Sequence, residues 1–190
     1  MTGTVVELGR YRSPFYPRQE PLDRLNRWHE WKGYSSADGF YDTVLEYFAT
    51  RNSAGVFDIT PMTKYRITGP DALDFLDRLV TRNMRKVKAG RVAYAVWCDD
   101  EGQVIDDGTI FHLEEGVYRL CSQERHMAWF KAAAIGMDVV IVDETEDICA
   151  LALQGPTSFS ILKTMGLDGI EALRPVGLGG VVQCHRRVEC

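Results

Sequence analysis

The chain has no paired-cysteine motif. Its five cysteines, Cys98, Cys121, Cys149, Cys184 and Cys190, are odd in number and no two form C-x-x-C, which argues against both a disulfide framework and a zinc site. Basic residues are outnumbered: Lys and Arg total 22 against 27 Asp and Glu, a formal net charge of −5. With no basic patch or stripe, nothing suggests a nucleic-acid partner. No apolar run is long enough to span a bilayer, and residues 1–18 lack the apolar stretch of a secretory signal. The expectation is a cytoplasmic protein of a reducing compartment, with no membrane partner. Catalytic signatures are missing too. There is no H-E-x-x-H, G-x-S-x-G, phosphate-binding loop or G-x-G-x-x-G, and His29, His112, His126 and His185 are scattered, so no metal is expected.

What remains is a globular composition, 45% hydrophobic and 26% charged over 190 residues. That fits one domain of ordinary size, or one domain plus part of a second. Residues 1–20 read as an extended arm punctuated by Pro14 and Pro17. A short helix is expected over 22–34, with Trp28 and Trp31 on one face, so 1–39 forms an arm with a short helix. From 40 to 53, Tyr41, Val44, Leu45 and Phe48 recur at helical spacing. One pattern then occurs twice. Tyr65–Thr68, Gly69-Pro70 and the stripe Leu73/Leu76/Leu79 is followed later by Leu151–Gln154, Gly155-Pro156 and Phe159/Leu162. Each is a short apolar run, Gly-Pro, then a helical pattern, with Pro expected at the first helical position. Strands are expected over Val92–Trp97, Val104–His112, Val117–Cys121 and Met137–Val142, with a helix near Glu124–Ile135. The order gives an α+β class: internally duplicated strand–GP–helix units with antiparallel hairpins between them. The domain is expected to run over 40–176, and 177–190 reads as an atypical tail.

The chemistry concentrates in Asp106 and Asp107, just after an Asp-Asp-Glu-Gly turn between two β-prone runs. Carboxylates within a strand are disfavoured and costly to bury. A turn centred between Asp100 and Glu101 sets Tyr94 opposite Asp107, Val96 opposite Ile105 and Val92 opposite Thr109. Strand alternation then places Asp107 on one face with Val92, Tyr94, Val96, Ile105, Thr109 and Phe111, and Asp106 on the other beside Ala93 and Ala95. The doublet is therefore not a paired-carboxylate device. Asp107 could instead cap a turn or pair with Arg66 or Arg91.

Four segments, in order between about 40 and 166, resemble the aminomethyltransferase (glycine cleavage T-protein) family. Gly55-Val56-Phe57-Asp58-Ile59-Thr60-Pro61-Met62 resembles its G-φ-F-D-V-S-H-M segment, φ being apolar, and Ile67–Ala72 its first helix start. Val92-Ala93-Tyr94 through Asp106-Asp107 resembles its Y…G-G-φ-φ-D-D hairpin, and Leu151–Pro156 its φ-A-φ-Q-G-P segment. The resemblance implies the family's folate-binding α+β core, tetrahydrofolate as cofactor, and transfer of a one-carbon unit onto it. It implies that Asp107 is the catalytic carboxylate, that Met62 and Tyr94 are pocket residues, and that Phe111 stands where a pterin-side Tyr is frequent. Departures at Pro61, Gln103, Gly108 and Leu120–Gln123 leave the donor open between a methylated amine, sulfonium or aryl ether and an aminomethyl carrier. Family members are longer, so the chain is expected to be an N-terminal part. The alternatives are a non-catalytic folate-binding scaffold or assembly protein, and an inactive truncated chain.

Overall fold

The computed structural model describes residues 9–167 and 169–172. The expected tail at 177–190 and the first residues of the expected arm lie outside them. The described residues fall into two compact units, 9–61 with 147–167 and 169–171, and 62–146 with 172.

The first unit opens with helix α1 (Tyr16–Gln19) and a 3-10 turn at Glu20–Leu22, each with a proline in its first turn. The expected extended arm is thus helical here, because proline's fixed φ suits a helix start and its missing N–H is not needed there. The expected helix over 22–34 is also corrected. Trp28–Trp31 is strand β1 and Tyr34–Ala37 is strand β2, paired antiparallel with Trp31 opposite Tyr34. The two-residue loop between them, Lys32-Gly33, has positive φ at both positions, 55° and 87°. That is the backbone of a tight hairpin turn, with a lysine in the place where asparagine or aspartate would have signalled it. Trp28 is buried, its ring 4.9 Å from that of Tyr16.

Helix α2 (Thr43–Asn52) follows, as its spacing predicts. The Asp42 carboxylate accepts the N–H groups of Val44 and Leu45 at 3.0 and 2.9 Å, satisfying two of the donors every helix start leaves free. Strand β3 (Gly55–Asp58) later pairs antiparallel with β9 (Leu151–Gln154), which leads into α5 (Ser158–Thr164).

The second unit contains β4 (Thr63–Thr68), α3 (Ala72–Leu79), β5 (Arg91–Cys98), β6 (Val104–Glu114), β7 (Val117–Ser122), α4 (Met127–Ala133) and β8 (Val140–Asp143). The strands form one antiparallel sheet in the order β5-β6-β7-β4-β8. Its core joins Ala72, Phe75, Leu76 and Leu79 of α3 and Phe130 of α4 to Tyr65, Ile67, Trp97, Ile110, Tyr118 and Leu120 of the sheet. The helical residues recur at three- and four-residue spacing and the strand residues within each strand at even spacing, so one face of each element is spent on the core.

The two Gly-Pro segments share a local geometry. Gly69 has φ +121°, and a Cβ there would lie 2.5 Å from the Asp138 carbonyl oxygen. Gly155 has φ +129°, and its Cβ would lie 2.4 Å from the Ser53 oxygen. In each case the backbone N–H two residues on, from Asp71 or Thr157, donates to that same oxygen, at 3.1 and 3.0 Å. The prolines sit two positions earlier in the helix start than expected, just before the N-cap rather than at the first helical residue. Asp71 and Thr157 are the N-caps, and the N–H groups of Ala72 and Ser158 return to the Gly69 and Gly155 oxygens. Pro70 and Pro156 therefore occupy the second position of a β-turn, which their fixed φ suits. The order helix, strand, strand, Gly-Pro, helix occurs as α2-β3-β4-α3 and again as α4-β8-β9-α5, with β3 paired to β9 and β4 to β8.

Gly69→Ala and Gly116→Ala both force alanine into positive φ, but nothing lies within 4 Å of a Cβ at Gly116. Urea unfolding should show Gly69→Ala losing about 2–4 kcal/mol through backbone strain plus overlap. Gly116→Ala should lose only about 1–2 kcal/mol. Equal losses would mean that the close approach to Asp138 carries no energy.

Candidate active site on the β5–β6 hairpin

β5 and β6 are joined by the loop 99–103, which Asp99 organises. Its Oδ1 accepts the N–H groups of Glu101 and Gln103 at 3.1 and 2.7 Å, and Gly102 takes φ +79°. Past the loop Cys98 faces Val104, Trp97 faces Asp106, Val96 faces Asp107 and Tyr94 faces Thr109. The expected pairing of Tyr94 with Asp107 is therefore off by two residues. The loop is longer than a symmetric turn about Asp100 and Glu101, and Ile105 is an extra residue at the register shift beside Trp97 and Cys98, as in a β-bulge. A two-residue slip preserves side-chain parity. Val92, Tyr94, Val96, Asp107, Thr109 and Phe111 still share one face, and Ala93, Ala95, Trp97, Asp106 and Ile110 share the other.

The two aspartates meet opposite environments. Asp106 lies at the end of the core face with a side chain 12% exposed. Its Oδ2 is 2.7 Å from His126 Nε2 and accepts the Glu124 N–H at 3.3 Å, while its Oδ1 accepts the N–H of Asp107 at 2.8 Å. Burial pushes this carboxyl upward, but the hydrogen bonds from Asp107, His126 and Glu124 together hold it below the usual carboxylate value. His126 is itself fixed. Its ring stands edge-on to Trp97 at 5.4 Å, and its backbone N–H donates to the Tyr65 hydroxyl at 2.9 Å. Beside the pair, Gly108 has no room for a side chain. A Cβ would meet the Cys121 oxygen at 2.3 Å and the Trp97 ring at 3.3 Å.

Asp107 is exposed on the other face. Tyr94 is its diagonal neighbour across the pair of strands, and its hydrogen bond to the Asp107 carboxylate, helped by partial desolvation and by the charges of Asp107 and Asp106, holds the phenol above its ordinary pKa. The phenol thus stays protonated as a donor to Asp107. Phe111 lies on this face four residues along β6, about 13 Å away at the usual strand rise. Met62 lies in the bend that immediately precedes β4. Continuing the β4–β7 and β7–β6 registers puts it level with Asp107, two strands or about 10 Å across. Three of the four expected site residues, Tyr94, Asp107 and Phe111, are on one face of the sheet, with Tyr94 and Asp107 diagonal neighbours, while Met62 lies just outside β4.

The arginines offered as partners for Asp107 go elsewhere. Arg66 is 3.8 Å from Glu144, and Arg91 stands opposite His112, at the far end of the hairpin. Buried Arg119, opposite Phe111, directs Nε and Nη2 to Glu144 Oε2 at 3.0 and 2.9 Å. Cys121, opposite Thr109, has its thiol pushed up to about 11 by burial, so it supplies no thiolate near neutral pH. Among the described residues no group of three or more His, Cys, Asp and Glu could hold a metal ion, and no helix is long and apolar enough to cross a membrane. The residue that the sequence did not single out is His126. The one signal for it was indirect: a carboxylate turned toward a core requires a donor.

A family described as the GCVT N-terminal domain matches residues 5–172. The aminomethyltransferase of Bacillus subtilis (strain 168) is 35% identical over 140 residues, covering 72% of this chain and 38% of the relative. That of Rubrobacter xylanophilus is 32% identical over 165 residues, covering 85% and 44%. Among solved structures, the glycine cleavage system aminomethyltransferase T from Bartonella henselae superposes with a TM-score of 0.78 at 23% identity, over 89% of this chain and 47% of that one. The likeness carries the fold, with its helices and antiparallel sheets. The chain spans about two fifths of the length of these curated relatives.

The Asp106–His126 pair generates a pH prediction. A carboxyl held low in the folded state stabilises it above the unfolded value and loses that contribution as pH falls through the folded value. His126→Ala removes one of the three donors that hold it low, and should cost about 1–3 kcal/mol at pH 7. In acid titrations followed by circular dichroism, the difference between wild type and His126→Ala should shrink below about pH 4 as Asp106 takes up a proton. A gap that stays constant down to full acid unfolding would show that the pair does not act through its charge.

Proposed function

The chain belongs to the aminomethyltransferase family, and from that premise we propose that it is the folate-binding N-terminal part of a tetrahydrofolate-dependent one-carbon transferase, moving a methyl or aminomethyl group. The observation that carries the reading is the division of labour within the doublet. Asp106 is spent on structure, leaving Asp107 exposed, ionisable and oriented by Tyr94. A carboxylate tied down by its own neighbour's side chain has little reorganising to do when a positive charge develops beside it. Family members use tetrahydrofolate, whose N5 nitrogen supplies the acceptor when the folate is bound.

On this reading Asp107 faces the folate nitrogens and stabilises the cationic character that arises as the one-carbon unit is transferred. The benefit grows once ligand excludes water from the face, because the effective dielectric falls. Tyr94, the diagonal neighbour, donates to the carboxylate. Phe111 and Met62 supply apolar surface at about 13 and 10 Å from Asp107, a reach suited to an elongated ligand rather than a small one. The donor is a methylated amine, sulfonium or aryl ether, or an aminomethyl carrier. The recurring helix–strand–strand–GP–helix order is read as an internal duplication within this core.

The reading predicts that Asp107→Asn lowers folate-dependent one-carbon transfer by about 10²–10³-fold, the scale for losing one preorganised electrostatic group. Tyr94→Phe should lower it less, because the carboxylate survives. Rates would be measured with tetrahydrofolate as acceptor against each donor class, and calorimetric titration with tetrahydrofolate would measure binding. Full transfer by Asp107→Asn would remove the residue from the mechanism.

A further inference from the structure

Asp107 stands where β6 loses its second neighbour. From Gly108 onward the strand is flanked on both sides, Gly108 itself by Ala95 of β5 and Ser122 of β7. Asp106 and Asp107 are paired with β5 alone, and the extra residue Ile105 interrupts even that ladder just before them. In place of β7, the segment that follows it turns back on Asp106. The Glu124 N–H reaches Asp106 Oδ2 at 3.3 Å and His126 Nε2 reaches it at 2.7 Å. His126 is the better anchored of the two. It is the N-cap of α4, and its carbonyl accepts the Phe130 N–H at 2.9 Å. Its own N–H donates to the hydroxyl of fully buried Tyr65. Its ring lies 5.4 Å from that of Trp97 and 6.0 Å from that of Phe130, both fully buried. The other oxygen of Asp106 accepts the Asp107 N–H. A continuous line of contacts thus runs from the core through His126 and Asp106 to the backbone of Asp107.

We propose that His126 is a positioning residue for one-carbon transfer, holding Asp107 in its working orientation through Asp106. The inference rests on the transfer reading, in which Asp107 is the carboxylate that meets the developing charge. His126 lies outside the four segments that carry the family resemblance, so the geometry alone assigns it this part. Its ring is on the core side of the sheet and touches no group on the Asp107 face. It acts only through the bond to Asp106. Without it, Asp107 keeps the Tyr94 hydroxyl on its carboxylate, and Asp106 keeps the longer bond from Glu124. The carboxylate then stays on the same face but ranges more widely. A displacement on the order of 1 Å at a group that must meet a developing charge costs about 10²-fold in rate, so a loosened hold shows in turnover before it shows in binding.

The test compares His126→Phe, which keeps a ring beside Trp97 and Phe130 but has no donor, with His126→Gln, whose amide still donates to Asp106. In transfer to tetrahydrofolate, His126→Phe should lower kcat about 10–100-fold with KM for tetrahydrofolate changed less than about two-fold. His126→Gln should recover most of that loss. Adding His126→Phe to Asp107→Asn should cost nothing beyond Asp107→Asn alone, because both changes act on one group. Amide hydrogen exchange of the 190-residue chain, followed by NMR, reads the link without turnover. The Asp107 amide should exchange on the order of ten times faster in His126→Phe, while those of Ile110 and Leu120 keep their wild-type rates and show that the sheet is folded. Asp106→Asn leaves one accepting atom for three donors and should show the same acceleration, which serves where His126→Phe does not fold. Unchanged exchange at Asp107 in these variants overturns the proposal. So do equal losses of kcat in His126→Phe and His126→Gln, or a loss that adds to that of Asp107→Asn. Full transfer by Asp107→Asn sinks the transfer reading, and the exchange rates still decide whether His126 holds Asp107. A transfer defect in Asp107→Asn with unchanged exchange in the other variants sinks the positioning role alone.

Discussion

A carboxylate turned toward the interior of a sheet is tolerated only when its oxygens are met by donors, and the hairpin is organised around meeting those of Asp106. Three donors converge on it: its successor's amide, the Glu124 amide and the His126 ring. The amide of Asp107 is among them, so the anchor and the exposed acid are one device. The position of the second carboxylate follows from the satisfaction of the first. His126 in turn is held between Trp97 and the Tyr65 hydroxyl, which carries the constraint from the hairpin into the core. Gly108 completes it by letting the Cys121 backbone come within a distance no side chain would allow.

That arrangement also decides which chemistry the face can support. Arg119 and Arg66 turn to Glu144, and the Cys121 thiol is held neutral by burial. The exposed carboxylate and phenol on this face are those of Asp107 and Tyr94, beside the partly buried Val92 and Val96. Such a set favours stabilising a positive charge over nucleophilic attack, since neither group is activated for covalent chemistry.

Much of the sheet was legible in the sequence because its elements alternate cleanly. The strands β5, β6 and β7 and the helix α2 fall where their periodicity puts them, and the two glycines before proline stand at positive φ where each unit turns. The face of Asp107 was legible for the same reason, since parity depends only on odd and even. The pairing partner was not, because it depends on loop length and on a bulge that composition does not announce. The Trp28 and Trp31 spacing suggested a helix, but the local backbone was decided by a Lys-Gly turn whose lysine gives no strong signal. His126 stayed hidden because its meeting with Asp106 is made by the β6–β7 register, a non-local quantity.

The extra residue at Ile105 has a consequence for how this hairpin can vary. In a strand pair without a bulge, a one-residue slip of register rotates all later side chains, turning an outward acid inward. A bulge absorbs one residue where it forms, so the doublet keeps its orientation while the loop beyond it is free to lengthen or shorten. The orientation of an ionisable group is thereby uncoupled from the length of the segment most exposed to change. Relatives differing in that loop can keep the same carboxylate facing outward by moving or removing the bulge, without altering either strand.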